Sequence, residues 1–215
     1  KLKLESSGIC MVTEQLGFDA INLRLEGWTA VHADSQRRQW MRDAEGDEFA
    51  STLLLTYQPE ALEGIDLDDH VGVRKAVRDI ADQAGQIMVS VDVVGAAGVP
   101  ALWYILKQNQ APSGMVYSGC LILPFTNSFF TLQLMCMETG ITGIREAIVM
   151  DRFIAAGVSI RELSESATRF EHGTAKGHYS PDAPEHDVQF PNHPLTRVRR
   201  YFRDILSVLS IKGVY

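Results

Sequence analysis

The stretch "MVYSGCLILPFTNSFFTLQLMCM", residues 115–137, decides how this chain folds. No charged residue lies between Lys107 and Glu138, a run long enough to cross a bilayer as a helix. Pro124 and Asn127 interrupt it, and Gln108, Asn109, Gln110, Pro112, Ser113 and Gly114 just upstream read as a turn. Two buried strands joined through "LPFTNS" therefore fit better than a transmembrane helix.

The same pattern extends to both sides. "QIMVSVDVVG" and "PALWYILKQNQ" are strand-like runs rich in β-branched and aromatic residues, ended by glycine or asparagine. Their connections are too short for parallel crossovers, so the sheet is expected to be antiparallel. Earlier, "DAINLRLEGW" sets Ile21, Leu23 and Leu25 against Asn22, Arg24 and Glu26, the alternation of a half-buried strand. "RQWMRDAEGDEFASTLLLTYQ" predicts a hairpin, with one strand near Trp40 and the other at 51–57.

Three helices are expected. The first spans about 69–84, capped by Asp68 or Asp69 and stopped by Gly85, with Val73, Ala76, Val77, Ile80 and Ala84 as its apolar stripe. The second spans about 142–155, with Ile144, Ile148 and Phe153 among its buried positions. The third spans 194–209. Asn192 or His193 caps it, Pro194 occupies its first turn, and Leu195, Val198, Phe202, Ile205 and Leu209 share one face.

Taken in order, these strands and helices, with "VGAAGVPALWYILKQ", "LILP" and "LQLMCM", resemble the Mog1/PsbP-like fold. The Gly98-Val99-Pro100-Ala101 turn and the Gly27-Trp28 step are similar to recurrent features there. The resemblance covers about residues 16–155. It implies an α+β fold in which helices flank an antiparallel sheet as an α/β/α sandwich. That family is functionally mixed, spanning small-GTPase binding, photosystem assembly, bacterial lipoproteins and secretion adaptors. It thus implies a binding module more than an enzyme, and it transfers no site residue. Residues 156–215 depart from it, so the expected organisation is a sandwich domain, 1–155, and a C-terminal extension, 156–215, made of a strap and an Arg-rich amphipathic helix packed on the domain.

Composition bounds the function. Of 215 residues, 46% are hydrophobic and 22% charged, enough for a core that needs no disulfide. The net charge of −7 speaks against nucleic acid as a partner. Cys10, Cys120 and Cys136 form no CxxC pattern, and the last two sit in apolar runs that make a thiol inert. A reducing, cytoplasmic location is slightly favoured. "KLKLESSGIC" lacks the apolar segment of a signal peptide, and a removed leader is left open because position 1 is not methionine.

Catalytic signatures are weak. "VVGAAGVP" lacks the first glycine of a dinucleotide loop and leads into a strand; "HGTAKGH" lacks the Walker spacing; there is no GxSxG elbow. Asp66, Asp68, Asp69 and His70 read as a helix start rather than a calcium loop. The remaining candidate is the tail. His172, His178, His186 and His193 fall within 22 positions, and Asp182, Glu185 or Asp187 could complete a metal shell around them. No pair has i,i+4 spacing, and Pro181, Pro184, Pro191 and Pro194 stiffen the segment, so a strap anchored by Tyr179, Val188 and Phe190 is the preferred reading. In "RVRRYFR", Arg197, Arg199, Arg200 and Arg203 are the candidate partner-binding residues. A protein-binding or adaptor module without cofactor is therefore expected, with a homodimer left open. The alternative is a metal-dependent hydrolase built on the 172–193 histidines.

Overall fold

The uncharged stretch folds as a hairpin. Met115–Phe125 and Ser128–Met137 pair antiparallel from Val116 opposite Met137 to Phe125 opposite Ser128, and Thr126 and Asn127 make the turn. The computed structural model describes residues 17–23, 25–42, 51–62, 65–159, 161–162 and 180–212. In chain order the elements are β1 (Ile21–Asn22), β2 (Thr29–Ala33), β3 (Arg37–Arg42), β4 (Ser51–Gln58), α1 (His70–Gln83), β5 (Ile87–Ala96), β6 (Val99–Asn109), β7 (Met115–Phe125), β8 (Ser128–Met137), α2 (Ile144–Ala155), a 3-10 turn (Pro184–Gln189), α3 (Pro194–Val208) and β9 (Ser210–Ile211).

Seven strands form one antiparallel sheet in the order β2-β3-β4-β8-β7-β6-β5. Helices cover both faces, which is why β7 shows no polar alternation. Its Cys120 and Ile122 pack on the α1 side with Val73, Val77 and Ala81. Tyr117, Leu121 and Leu123 point the other way, toward Val198, Phe202 and Ile205 of α3. A strand buried on two faces reads as a continuous apolar run, like the strands of a doubly covered parallel sheet. The expected α+β architecture, an antiparallel sheet flanked by helices, is the one observed. No helix among the described residues is long and apolar enough to cross a membrane.

One glycine seats α3. A Cβ on Gly119 would lie 2.6 Å from a Val198 methyl, 2.8 Å from Trp103 and 2.9 Å from Phe202. The rings of Trp103 and Phe202 meet over it, with centroids 4.0 Å apart. Only the missing side chain lets α3 approach β7 this closely. α3 thereby shares one core with β4, β7 and β8.

Helix ends follow the sequence. Asp69 caps α1 by accepting from the N–H groups of Val71 and Gly72. His193 caps α3, with Pro194 in its first turn. Cys120 and Cys136 are buried and unpaired; burial pushes the Cys120 thiol up to about 11 and raises that of Cys136 as well.

Four details differ from the sequence reading. Among the described residues of "DAINLRLEGW", Ile21–Asn22 forms the strand, and it pairs with Ser210–Ile211 after α3; the chain turns at Gly27, whose φ is +75°. In α1 the inner positions are Val73, Val77 and Ala81, leaving Ile80 exposed. In α2 the buried residues are Arg145 and Val149, while Ile144 and Ile148 are 42% and 39% exposed. In the tail, Val188 is 81% exposed rather than plugged into the body.

The seating of α3 is directly testable. Gly119→Ala should cost about 1–3 kcal/mol in urea denaturation through overpacking. Gly95→Ala, where an added Cβ meets nothing within 4 Å, should change stability by less than about 1 kcal/mol.

Candidate functional site

The tail is held by buried charge. Arg145 is fully buried; its Nε donates to the Pro181 carbonyl at 2.7 Å, Nη2 to the Ala183 carbonyl at 3.0 Å and Nη1 to Thr196 Oγ1 at 3.0 Å. Asp187 accepts from Arg145 and from Arg199, each at 2.9 Å. Lys107 pairs with Asp182 at 2.5 Å. A buried guanidinium is tolerable only when its donors are matched and its charge is paired, and here both conditions are met. An extended strap is the expectation from the prolines; among the described residues of that segment Pro184–Gln189 form a 3-10 turn, and the segment is tied down mainly by polar contacts. Phe190 contributes as a ring beneath the Arg145 guanidinium, 5.8 Å from its centroid.

Beside this strap the ends of β8, α2 and α3 converge. Glu138 accepts from the N–H of Met115 at 2.9 Å with one oxygen and from the N–H of Gly143 at 3.2 Å with the other. His193 Nε2 lies 3.4 Å from the latter oxygen. Tyr117 donates to Glu146 at 3.1 Å, and its ring stands edge-on to the His193 ring, 5.2 Å between centroids. One carboxylate thereby ties the start of β7 to the first turn of α2 and the cap of α3. Burial pushes the Glu138 carboxyl up, but His193 and the Gly143 and Met115 amides outweigh it and hold the group below the usual carboxylate range. Burial and the neighbouring carboxylates Asp182 and Glu146 raise the Tyr117 hydroxyl, keeping it a donor.

Between α2 and the 190–194 loop lies a cavity of about 410 Å³. Ile141, Ile144, Phe190 and Pro191 form apolar walls, and Glu138, Thr139 and His193 supply polar atoms. Outside the cavity, Ile148 continues the exposed aliphatic face one turn along α2.

Of the four tail histidines, His172 and His178 lie outside the described residues. His186 packs against Phe153, with ring centroids 5.9 Å apart. Among the described residues, the group of His, Cys, Asp and Glu close enough to share a metal ion is Glu138, Glu146 and His193, with ligand atoms within 4.8 Å of one another. The ring of His193 opposes that use. Its Nδ1 accepts the Leu195 N–H at 3.2 Å, so the ring proton sits on Nε2, the atom that faces the carboxylates. A metal on Nε2 would drive the proton to Nδ1, against a backbone donor, whereas ligand histidines ordinarily donate from their second nitrogen. The cluster serves as a structural hub.

The four candidate arginines divide. Arg197 is buried and donates to Ser51 Oγ. Arg199 donates to Asp187 and to the Asp182 carbonyl at 2.6 Å, and its desolvation, only partly offset by Asp187, lowers its pKa. Arg200 and Arg203 are exposed, Arg200 lying over the Tyr201 ring at 5.3 Å. Sequence reasoning did not single out Glu138, Arg145 or Glu146. The available signal was placement: Glu138 is the first charge after the long uncharged run, and Arg145 interrupts an aliphatic stripe.

No protein-family model matches the chain, and no curated protein matches it. Among solved structures it is similar to the Ran-binding protein Mog1p of Saccharomyces cerevisiae, with a TM-score of 0.48 and 10% sequence identity over 94% of this chain and 96% of that one. The fold described above rests on its own ladder registers, and the site on its own contacts.

The hub makes a signed pH prediction. Because the folded-state pKa of Glu138 is lowered, its contribution is present at neutral pH and is lost as pH falls through the folded value. At pH 7, Glu138→Gln should destabilise by about 1.5–3 kcal/mol, the worth of hydrogen bonds to a charged group. The gap to wild type should narrow below the ordinary glutamate value of about 4.3. A gap that stays constant down the acid limb would show that Glu138 is not held ionised.

Proposed function

We propose that this chain is a non-enzymatic protein-binding module, an accessory or adaptor, that receives a partner segment on the outward face of α2 and in the cavity at its start. The observation that carries this is the orientation of α2. Ile144 and Ile148 form an aliphatic face on the outward side of the helix, and Ile141, at 81% exposure, lies in the loop just before it, while Arg145 takes the inward place. Aliphatic side chains at this spacing normally face a core. When they instead rim a cavity on the surface, they suit a docking face.

Charge selects the occupant. The chain carries −7 overall, and Glu138 is the carboxylate that lines the cavity while Arg145 in its wall is already paired with Asp187, so the partner segment is aliphatic and basic. The residues around the cavity supply helix caps, strand ties and matched ion pairs. His193 is committed at Nδ1 to the Leu195 N–H, which leaves the ring proton on Nε2, and Tyr117 is held as a donor. This disfavours the metal-dependent hydrolase.

The test places a photo-crosslinker, p-benzoylphenylalanine, at Ile148 and, as a control, at the more exposed Val71 of α1, in the native host. A discrete heteromeric adduct at 148 that is absent at 71 is expected. Adding Ile144→Asp should weaken that contact by about 2 kcal/mol or more, as for a central apolar anchor, and so abolish the adduct. Equal labelling at both positions, or none at 148, overturns the reading. An adduct of twice the chain mass makes the occupant a second copy and overturns the basic partner.

A further inference from the structure

We propose that the chain carries a second binding site, a pocket for a free α-amino acid with an apolar side chain, between the start of the β2–β3 hairpin and the C-terminal half of α3. It lies at the end of α3 away from the His193 cap and does not rest on the binding face of α2.

The pocket, of about 470 Å³, has the size of a small-molecule site. Trp28 and Tyr201 meet edge to face in its wall, with ring centroids 5.8 Å apart, and Ile205 and Val208 add aliphatic surface. Arg42, the last residue of β3, also lines it. The Arg42 guanidinium lies over the Tyr201 ring, 5.2 Å from the centroid. It also passes close to Gly27, where a Cβ would sit 3.5 Å from Nη2 and 3.6 Å from both Cζ and Nε. Such equal distances place the flat face of the guanidinium, not its edge, against Gly27. Both contacts therefore use its faces and leave its in-plane N–H groups, which have no acceptor among the described residues. A guanidinium fixed by its faces and open at its edge is set for two parallel hydrogen bonds to a carboxylate.

Asp204 supplies the opposite pole. It lines the same pocket near the C-terminus of α3, and its carboxylate has no partner among the described residues. The last turn of that helix holds no basic residue, so no side chain there balances the negative end of the helix dipole. Both features favour an ammonium group. Glu26, the other carboxylate in the wall, is already engaged. The remaining charges are thus one of each sign, and Arg42 and Asp204 share the pocket without pairing with each other. A simple anion would meet Asp204, and a simple cation would meet Arg42, whereas a zwitterion satisfies both. An α-amino acid holds its carboxylate and its ammonium on one carbon, and its side chain then lies along Trp28, Ile205 and Val208. A peptide separates its two poles by at least one residue and fits worse.

The probe is L-leucine, titrated into the full chain while the indole N–H resonances of Trp28 and Trp103 are followed by NMR. A saturable shift at Trp28 is expected, with a dissociation constant on the order of 1 mM for so small a ligand. Trp103, which lies under α3 against Phe202, should not shift. Leucinamide lacks the carboxylate and 4-methylpentanoate lacks the ammonium, so each should bind about tenfold or more weakly. Arg42→Gln should abolish the saturable shift, and Asp204→Asn, at an exposed position, should weaken binding about tenfold. Arg200→Gln should leave binding unchanged, since Arg200 also lies over Tyr201 but does not line the pocket. Retention of the wild-type amide spectrum elsewhere shows that each variant is folded. The absence of a saturable shift at Trp28 overturns the proposal. Equal affinity for 4-methylpentanoate or for leucinamide also overturns it, because one pole alone is then recognised. So does an alanyl-leucine dipeptide that binds as tightly as leucine, because a chain terminus is then enough. Arg200→Gln as damaging as Arg42→Gln overturns it too, because the effect is then one of surface charge.

Discussion

The C-terminal half of this molecule depends on where one guanidinium is buried. Arg145 sits in the first turn of α2 with its side chain wholly enclosed, matched by the carbonyls of Pro181 and Ala183, the hydroxyl of Thr196 and the carboxylate of Asp187. Taking such a charge out of water costs several kcal/mol, which only a full set of partners offsets. Those partners come from the segment that leads into α3 and from the first turn of α3 itself. Fixing Arg145 therefore fixes that segment and also the rotation of α2. With positions 145 and 149 inward, position 144 lies about 120° and position 148 about 80° from their common direction around the helix, which turns both toward solvent.

The rest of the fold supplies a rigid frame for that arrangement. The sheet is packed on both faces, by α1 through one set of alternating side chains and by α3 through the other. Gly119 lets α3 settle directly on β7, so the His193 cap, the Glu138 carboxylate at the end of β8 and the start of α2 meet at one corner. That corner is where the cavity opens. Its hydrogen bonds are used to hold elements together, and its apolar walls continue onto the exposed face of α2. The stiff polar end and the aliphatic rim are the features on which the proposed recognition of another polypeptide rests.

Much of the frame was legible from local pattern. Pro124 and Asn127 marked the hairpin, short connections required antiparallel pairing, and Asp69, Gly85 and the His193-Pro194 pair marked helix ends. These signals depend on neighbours in sequence. The site was less legible because its decisive contacts are long-range. Ile144 and Ile148 have the spacing of buried residues, and nothing nearby shows that Arg145 outcompetes them for the interior by finding four partners 36–51 positions away. Val188 was read as an anchor because aliphatic residues in a proline-rich strap usually are, yet Asp187 beside it takes that role through two arginines. His193 was named as a metal candidate. Its neighbours Pro194 and Leu195 carried the better clue, that it caps a helix.

The account is tested most directly by urea denaturation of two single variants on α2, Arg145→Met and Ile148→Ser. If the charge is the interior anchor and the aliphatic stripe faces outward, Arg145→Met loses about 3–5 kcal/mol, as expected when one partner of a buried ionic network is removed. Ile148→Ser then loses less than about 1 kcal/mol, as at a surface position. The reverse order, with Ile148→Ser costly and Arg145→Met neutral or stabilising, would mean that α2 presents its aliphatic side to the core, and the proposed binding face would not exist.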